Sequence, residues 1–121
     1  MQIKPFTMSV VVGSAACQAA CEFCVSAQTT ENGVTNKFEP INYKNFDASC
    51  RLARESGVTT ILLTGKGEPT LFPDQITDVL QNLMKYRFPI IELQTNAINI
   101  ANGKIDSKTL EYWFGIGLKT I

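Results

Sequence analysis

The sequence predicts an α/β protein built on a parallel sheet, and three observations carry that expectation. Strand-like apolar runs alternate with segments whose apolar residues recur at helical spacing. The second and third runs start 30 positions apart, at Thr60 and Ile90, and the third and fourth 28 apart, at Ile90 and Leu118. Those intervals fit a strand, a crossover helix and two short connections, the unit from which parallel sheets are made. Right-handed crossovers then place all the helices outside.

In chain order, a first strand is expected over residues 8–12, feeding a loop that carries three cysteines. The loop runs on through Ser26 to Pro40, with turn chemistry at Asn32-Gly33 and at Pro40. Loops of this length in compact folds are functional or disordered, and holding a metal group is a sufficient reason. A first helix is expected over residues 43–56, with Tyr43, Phe46, Cys50 and Ala53 on one face and Gly57 as its stop. Cys50 reads as a small buried hydrophobe on that stripe.

The second strand is expected over residues 60–64, then a helix over about residues 74–86 whose Ile76, Val79, Leu80, Leu83 and Met84 form one face. The third strand is expected over residues 90–95. A third helix starts near Ser107, with that serine as N-cap, and buries Leu110, Trp113 and Phe114. Residues 118–121 begin a fourth strand.

The third strand has an unusual pattern. A parallel strand covered on both faces is nearly all apolar, yet Glu92, Gln94 and Asn96 alternate with Ile91, Leu93 and Thr95. One account is a polar face turned into a ligand-filled lumen, where such groups need a ligand, water or one another. The other is an antiparallel sheet with one wet face.

The cysteine loop reads Cys17-Gln-Ala-Ala-Cys21-Glu-Phe-Cys24, three thiols at C-x3-C-x2-C spacing. Thiolates suit zinc or an iron-sulfur cluster, and a four-iron cube held by three of them keeps one iron open. A disulfide framework wants an even set of cysteines in an oxidising compartment, which three clustered residues and a distant Cys50 do not make. Zinc is the better rival, but the chain has no histidine, so Cys50 or a carboxylate would have to complete the tetrahedron.

Composition excludes other classes. The chain is 45% hydrophobic and 18% charged, with eleven basic residues against eleven acidic ones. The basic residues are scattered, so neither a nucleic-acid footprint nor a polybasic membrane patch is expected. The stretch before Cys17 resembles a lipoprotein signal only superficially, because Pro5, Ser9 and Gly13 interrupt its apolar part. No run approaches the ~20 apolar residues of a membrane span. A cytoplasmic protein is the expectation.

A second motif follows the second strand, Thr64-Gly65-Lys66-Gly67-Glu68-Pro69-Thr70. It is not a phosphate loop, since Gly67 stands where serine or threonine is required and Thr60 stands at the first glycine. Its glycines allow close backbone approach and unusual dihedrals, and Pro69 holds Glu68 extended. Taken with the cysteine spacing and with Phe23 directly before Cys24, it resembles the glycine-glycine-glutamate segment of the radical S-adenosylmethionine (radical SAM) enzymes. Lys66 stands where those enzymes more often have glycine.

The resemblance covers almost all of this chain but only the first half of the family's core. It implies a partial (β/α) TIM-like barrel with the first three to four βα units present, in an N-terminal, truncated part of the core domain spanning residues 1–121. The cluster loop would be residues 14–41 and the cosubstrate turn residues 64–70. The resemblance further implies that Cys17, Cys21 and Cys24 hold a [4Fe-4S] cluster whose open iron takes the amine and carboxylate of S-adenosylmethionine. Phe23 would lie with its backbone against the adenine, and Gly65, Gly67 and Glu68 would contact the amino group. The polar strand face would bring Gln94 and Asn96 to the cofactor.

Activity would then be that of an oxidoreductase that starts from reductive cleavage of S-adenosylmethionine to a 5′-deoxyadenosyl radical. That radical takes a hydrogen atom from an unidentified substrate, and the electron comes from a one-electron reductant of flavodoxin or ferredoxin type. No residue is identifiable as acid, base or final hydrogen donor. A non-catalytic iron-sulfur or zinc module, or an inactive remnant, are the alternatives.

Overall fold

The computed structural model describes residues 3–28 and 35–121, so the Asn32-Gly33 turn lies outside the described residues. Three strands, β1 (Thr7–Val11), β2 (Thr60–Thr64) and β3 (Ile90–Leu93), form one sheet in the order β1-β2-β3. Both pairings are parallel, with Thr7 opposite Thr60 and Thr60 opposite Ile90. The parallel expectation from strand spacing therefore holds, and the antiparallel alternative does not.

The helices are α1 (Val25–Gln28), α2 (Tyr43–Glu55), α3 (Pro73–Leu83), α4 (Ile98–Ala101) and α5 (Ser107–Gly115). α2 begins at Asn42, whose side chain accepts the Asn45 N–H, and buries Phe46, Cys50 and Ala53. Gly57, at φ +88°, ends it in the left-handed conformation that glycine adopts without steric cost. α3 starts on Pro73 and buries Ile76, Val79, Leu80 and Leu83; a 3-10 turn over Met84–Tyr86 then closes the segment. α5 is capped by Asp106 rather than Ser107, because the carboxylate at 106 accepts the Thr109 N–H at 2.8 Å. It buries Trp113, whose indole N–H donates to Thr77 on α3 at 2.8 Å, whereas Phe114 remains 44% exposed.

The predicted barrel is not what forms. The sheet is open and three-stranded, and the expected fourth strand is reduced to one parallel bridge between Glu92 and Thr120. A barrel needs strand number, tilt and stagger to close the sheet on itself, and three strands cannot do so. Consequently the polar face of β3 does not look into a lumen. In a sheet ordered β1-β2-β3 the right-handed crossovers put the helices on one side. That side holds Val10, Ile61, Leu63, Ile91 and Leu93, all buried, while Ser9, Leu62, Thr64 and Glu92 on the other are half-buried or exposed. Burying Ile61 and Leu63 completely contributes about 2 kcal/mol per side chain.

The third strand also ends early. β3 stops at Leu93, and residues 95–97 turn instead of extending, with Ala97 at φ +63°. Among the described residues no helix is long and apolar enough to cross a membrane.

Candidate functional site

The site lies beyond the C-terminal ends of β1 and β2, where the loop leaving β1 is laid across the turn leaving β2. Val12 N–H continues the ladder to Thr64 O at 2.7 Å, and the chain then turns at Gly13, φ +79°. A Cβ at Gly13 would sit 2.3 Å from the Phe72 ring, and the Gly13 N–H donates to Gln75 on α3 at 2.6 Å. From there Ser14 O accepts the Gly67 N–H at 3.0 Å, and Ala16 O accepts the Glu68 N–H at 2.9 Å. The two predicted motifs are thus stitched to each other by backbone hydrogen bonds.

This contact explains Gly67. A Cβ there would meet Ala16 O at 2.0 Å and the Ala15 carbonyl carbon at 2.7 Å. Close approach, not an unusual dihedral, is the requirement: the described glycines with positive φ are 13, 57, 103 and 117, and neither 65 nor 67 is among them. The obstructing atoms are backbone, so neither partner yields cheaply. Gly67→Ala is expected to cost about 3 kcal/mol and to lift the cysteine loop off the turn; chemical denaturation, with proteolysis of the loop, checks it.

Cys17, Cys21, Cys24, Gly65, Lys66 and Gly67 line one open cleft of about 490 Å³. Cys17 and Cys21 are exposed and Cys24 is partly covered, with Cys24 N–H closing a turn onto Cys21 O at 3.2 Å. Cys50 lies elsewhere, fully buried on α2; burial, with the Asp47 carboxylate adding to it, pushes its thiol up to about 11. The donor set is therefore three accessible thiols without histidine. Among the described residues no three His, Cys, Asp or Glu side chains are grouped so as to share a single ion. Cys17, Cys21 and Cys24 share the cleft lining without forming such a group.

Glu68 does not line the cleft; it is 3% exposed and its carboxylate is bonded within the protein. Oε1 accepts the Thr70 N–H at 2.9 Å, the Thr70 hydroxyl at 2.6 Å and the Thr95 hydroxyl, while Oε2 accepts the Asn96 N–H at 2.8 Å. Burial alone would push this carboxyl up, but the hydrogen bonds from Asn96 N–H, the Thr70 and Thr95 hydroxyls and Thr70 N–H outweigh it, holding it below the usual range. Pro69 occupies the first position of a 3-10 turn, Pro69–Leu71, that Glu68 caps from an extended backbone at φ −102°. Asn99 of α4, also buried, completes the network by donating to Thr70 O at 3.1 Å.

The remaining predicted residues divide. Gln94 accepts the Thr64 hydroxyl at 2.9 Å on the open sheet face and does not line the cleft. Asn96 does not line the cleft either, but its side-chain amide lies 3.7 Å from Cys17 Sγ. Phe23 is 82% exposed and does not line the cleft. Sequence reasoning did not find Ser14, Thr70, Thr95 or Asn99; only Thr70 carried a local signal, a polar residue two places after a candidate cap with proline between them. Compared with models of protein families, with curated proteins and with solved structures, the chain matches none.

Proposed function

We propose that the chain binds a [4Fe-4S] cluster through Cys17, Cys21 and Cys24 and acts as a radical SAM enzyme. The observation that carries the reading is the shared cleft: three accessible thiols and the Gly65-Lys66-Gly67 turn, about 40 positions apart in sequence, line one surface. Spacing alone does not require that meeting. Gly67, by admitting Ala16 O, holds the thiol-bearing loop against the turn, and Glu68 anchors the turn from below. When bound, such a cluster supplies one electron for reductive cleavage of S-adenosylmethionine, which starts hydrogen-atom abstraction from a substrate. The open cleft leaves room for the cosubstrate and for approach of a small one-electron reductant.

A second reading, a non-catalytic iron-sulfur module, draws on one placement: the Glu68 carboxylate makes its hydrogen bonds inside the protein. Electron paramagnetic resonance of anaerobically reconstituted, reduced protein separates the two. A four-iron signal whose shape changes on adding S-adenosylmethionine supports the enzyme; a signal indifferent to it supports the module; absence of iron overturns both.

A further inference from the structure

We propose that Asn96 is a positioning residue that donates its side-chain amide to the Cys17 sulfur and thereby raises the reduction potential of the cluster held there. The inference rests on the iron-sulfur reading above and adds to it a residue that tunes the metal group.

Three hydrogen bonds orient Asn96. Its backbone N–H donates to Glu68 Oε2 at 2.8 Å, which fixes the residue against the turn after β2. Its Oδ1 accepts the Ile98 N–H at 3.0 Å, so the oxygen side of the amide is occupied. The NH2 group is then the end left facing Cys17 Sγ, at 3.7 Å. An amide flip would set an NH2 against the Ile98 N–H and an oxygen against the sulfur, losing both bonds. The connection between Asn96 and Ile98 passes through Ala97 in the left-handed region, φ +63°, a conformation costly for a residue with a Cβ. Thr95 braces the same turn by donating to Glu68 and accepting the Ala97 N–H at 3.1 Å. A backbone held in a disfavoured state by partners on both sides points to a position that matters.

Cys17 Sγ also accepts the Ala19 N–H, at 3.4 Å. Two N–H dipoles aimed at one thiolate sulfur withdraw charge from it and favour the reduced, more negative cluster. Of these two donors, the Ala19 amide is local to the loop, while the Asn96 amide comes from a segment 79 residues away. Cluster electronics are thereby coupled to the Glu68 network.

The test is a potentiometric titration of the reconstituted protein, followed by the paramagnetic signal of the reduced cluster, on the wild type and on Asn96→Ser and Asn96→Asp. Both variants keep an oxygen for the Ile98 N–H and lose the amide donor; aspartate also adds a charge that lowers the potential by itself, so the shift in the uncharged serine variant decides. Iron content unchanged, with the midpoint moved to lower potential, is the expected result; at the wild-type midpoint the reduced-to-oxidised ratio falls roughly threefold or more. An unmoved midpoint with the cluster intact overturns the role of Asn96 and leaves the iron-sulfur reading standing. Absence of iron from the wild type removes both. Should the variants fail to fold, the wild type with 15N-labelled asparagine side chains decides. A hyperfine coupling from an amide proton or nitrogen to the reduced cluster is expected, and its absence overturns the proposal.

Discussion

Replacing Cys17, Cys21 and Cys24 together with alanine is expected to abolish iron binding by the reconstituted chain, while Cys50→Ala retains it. The contrast follows from placement. The first three thiols line one solvent-open cleft, whereas Cys50 is enclosed between α2 and the sheet with its thiol pushed up to about 11, which keeps it protonated and out of reach of a metal. Removing the Cys50 sulfur leaves a small cavity at a cost of about 1 kcal/mol, a change that chemical denaturation reads separately from iron content. The loop replacements cost little folding stability, because Cys17 and Cys21 are exposed. Iron and sulfide assays on the wild type and the two variants are the check. Loss of the cluster on the Cys50 change alone would overturn the ligand assignment, and zinc retained by the triple variant would point to a different metal site altogether.

The second large effect is expected at Glu68, where alanine costs on the order of 4 kcal/mol by leaving two backbone N–H groups and two hydroxyls without their acceptor. Glutamine is not a neutral replacement. Each carboxylate oxygen accepts from a donor, so an amide must set its NH2 against either the Asn96 N–H or the Thr70 and Thr95 side. Glu68→Gln should therefore cost about 2 kcal/mol. The same network predicts a pH dependence. The folded carboxyl titrates below its ordinary value, so its contribution is fully present above the unfolded glutamate pKa of about 4.3 and is lost as pH falls through the lowered folded value. Denaturation midpoints measured from pH 7 down to pH 3 should show the wild type losing stability in that window and Glu68→Gln losing less. An identical acid slope in both proteins would mean that another carboxylate governs it.

These two sites differ in how far the sequence reveals them. The cysteine spacing is local, and a loop of eight residues carries its chemistry in the order of its side chains, so the three thiols were legible at once. The alternation of elements was equally legible: strand and helix periods are set by neighbours one to four positions apart, and β2 forms over the predicted residues. The N-cap at Asp106 rather than Ser107 is a one-residue shift between two good capping residues. The polarity of Glu92, Gln94 and Asn96 did signal a face without an apolar cover. Its destination was misread, because an open sheet and a closed one place the same alternation on the same face.

What the sequence determined by itself was the set of local choices: three strands and three longer helices close to their expected positions, the parallel connections, three cysteines in one short loop, and a glycine-rich turn after β2. What only the tertiary structure decided was which groups meet. Gly67 needs to be glycine because Ala16 O lies 2.0 Å from where its Cβ would be, Glu68 is an internal strut because Thr95 and Asn96 arrive from the segment after β3, and Asn96 reaches Cys17 across 79 residues. Sheet closure belongs to the same class, since it depends on how many strands pair and with what stagger. Hydrogen bonds and steric contacts act over a few ångströms in space, whereas side-chain periodicity acts over a few positions in sequence; the two coincide only inside a single helix, strand or turn.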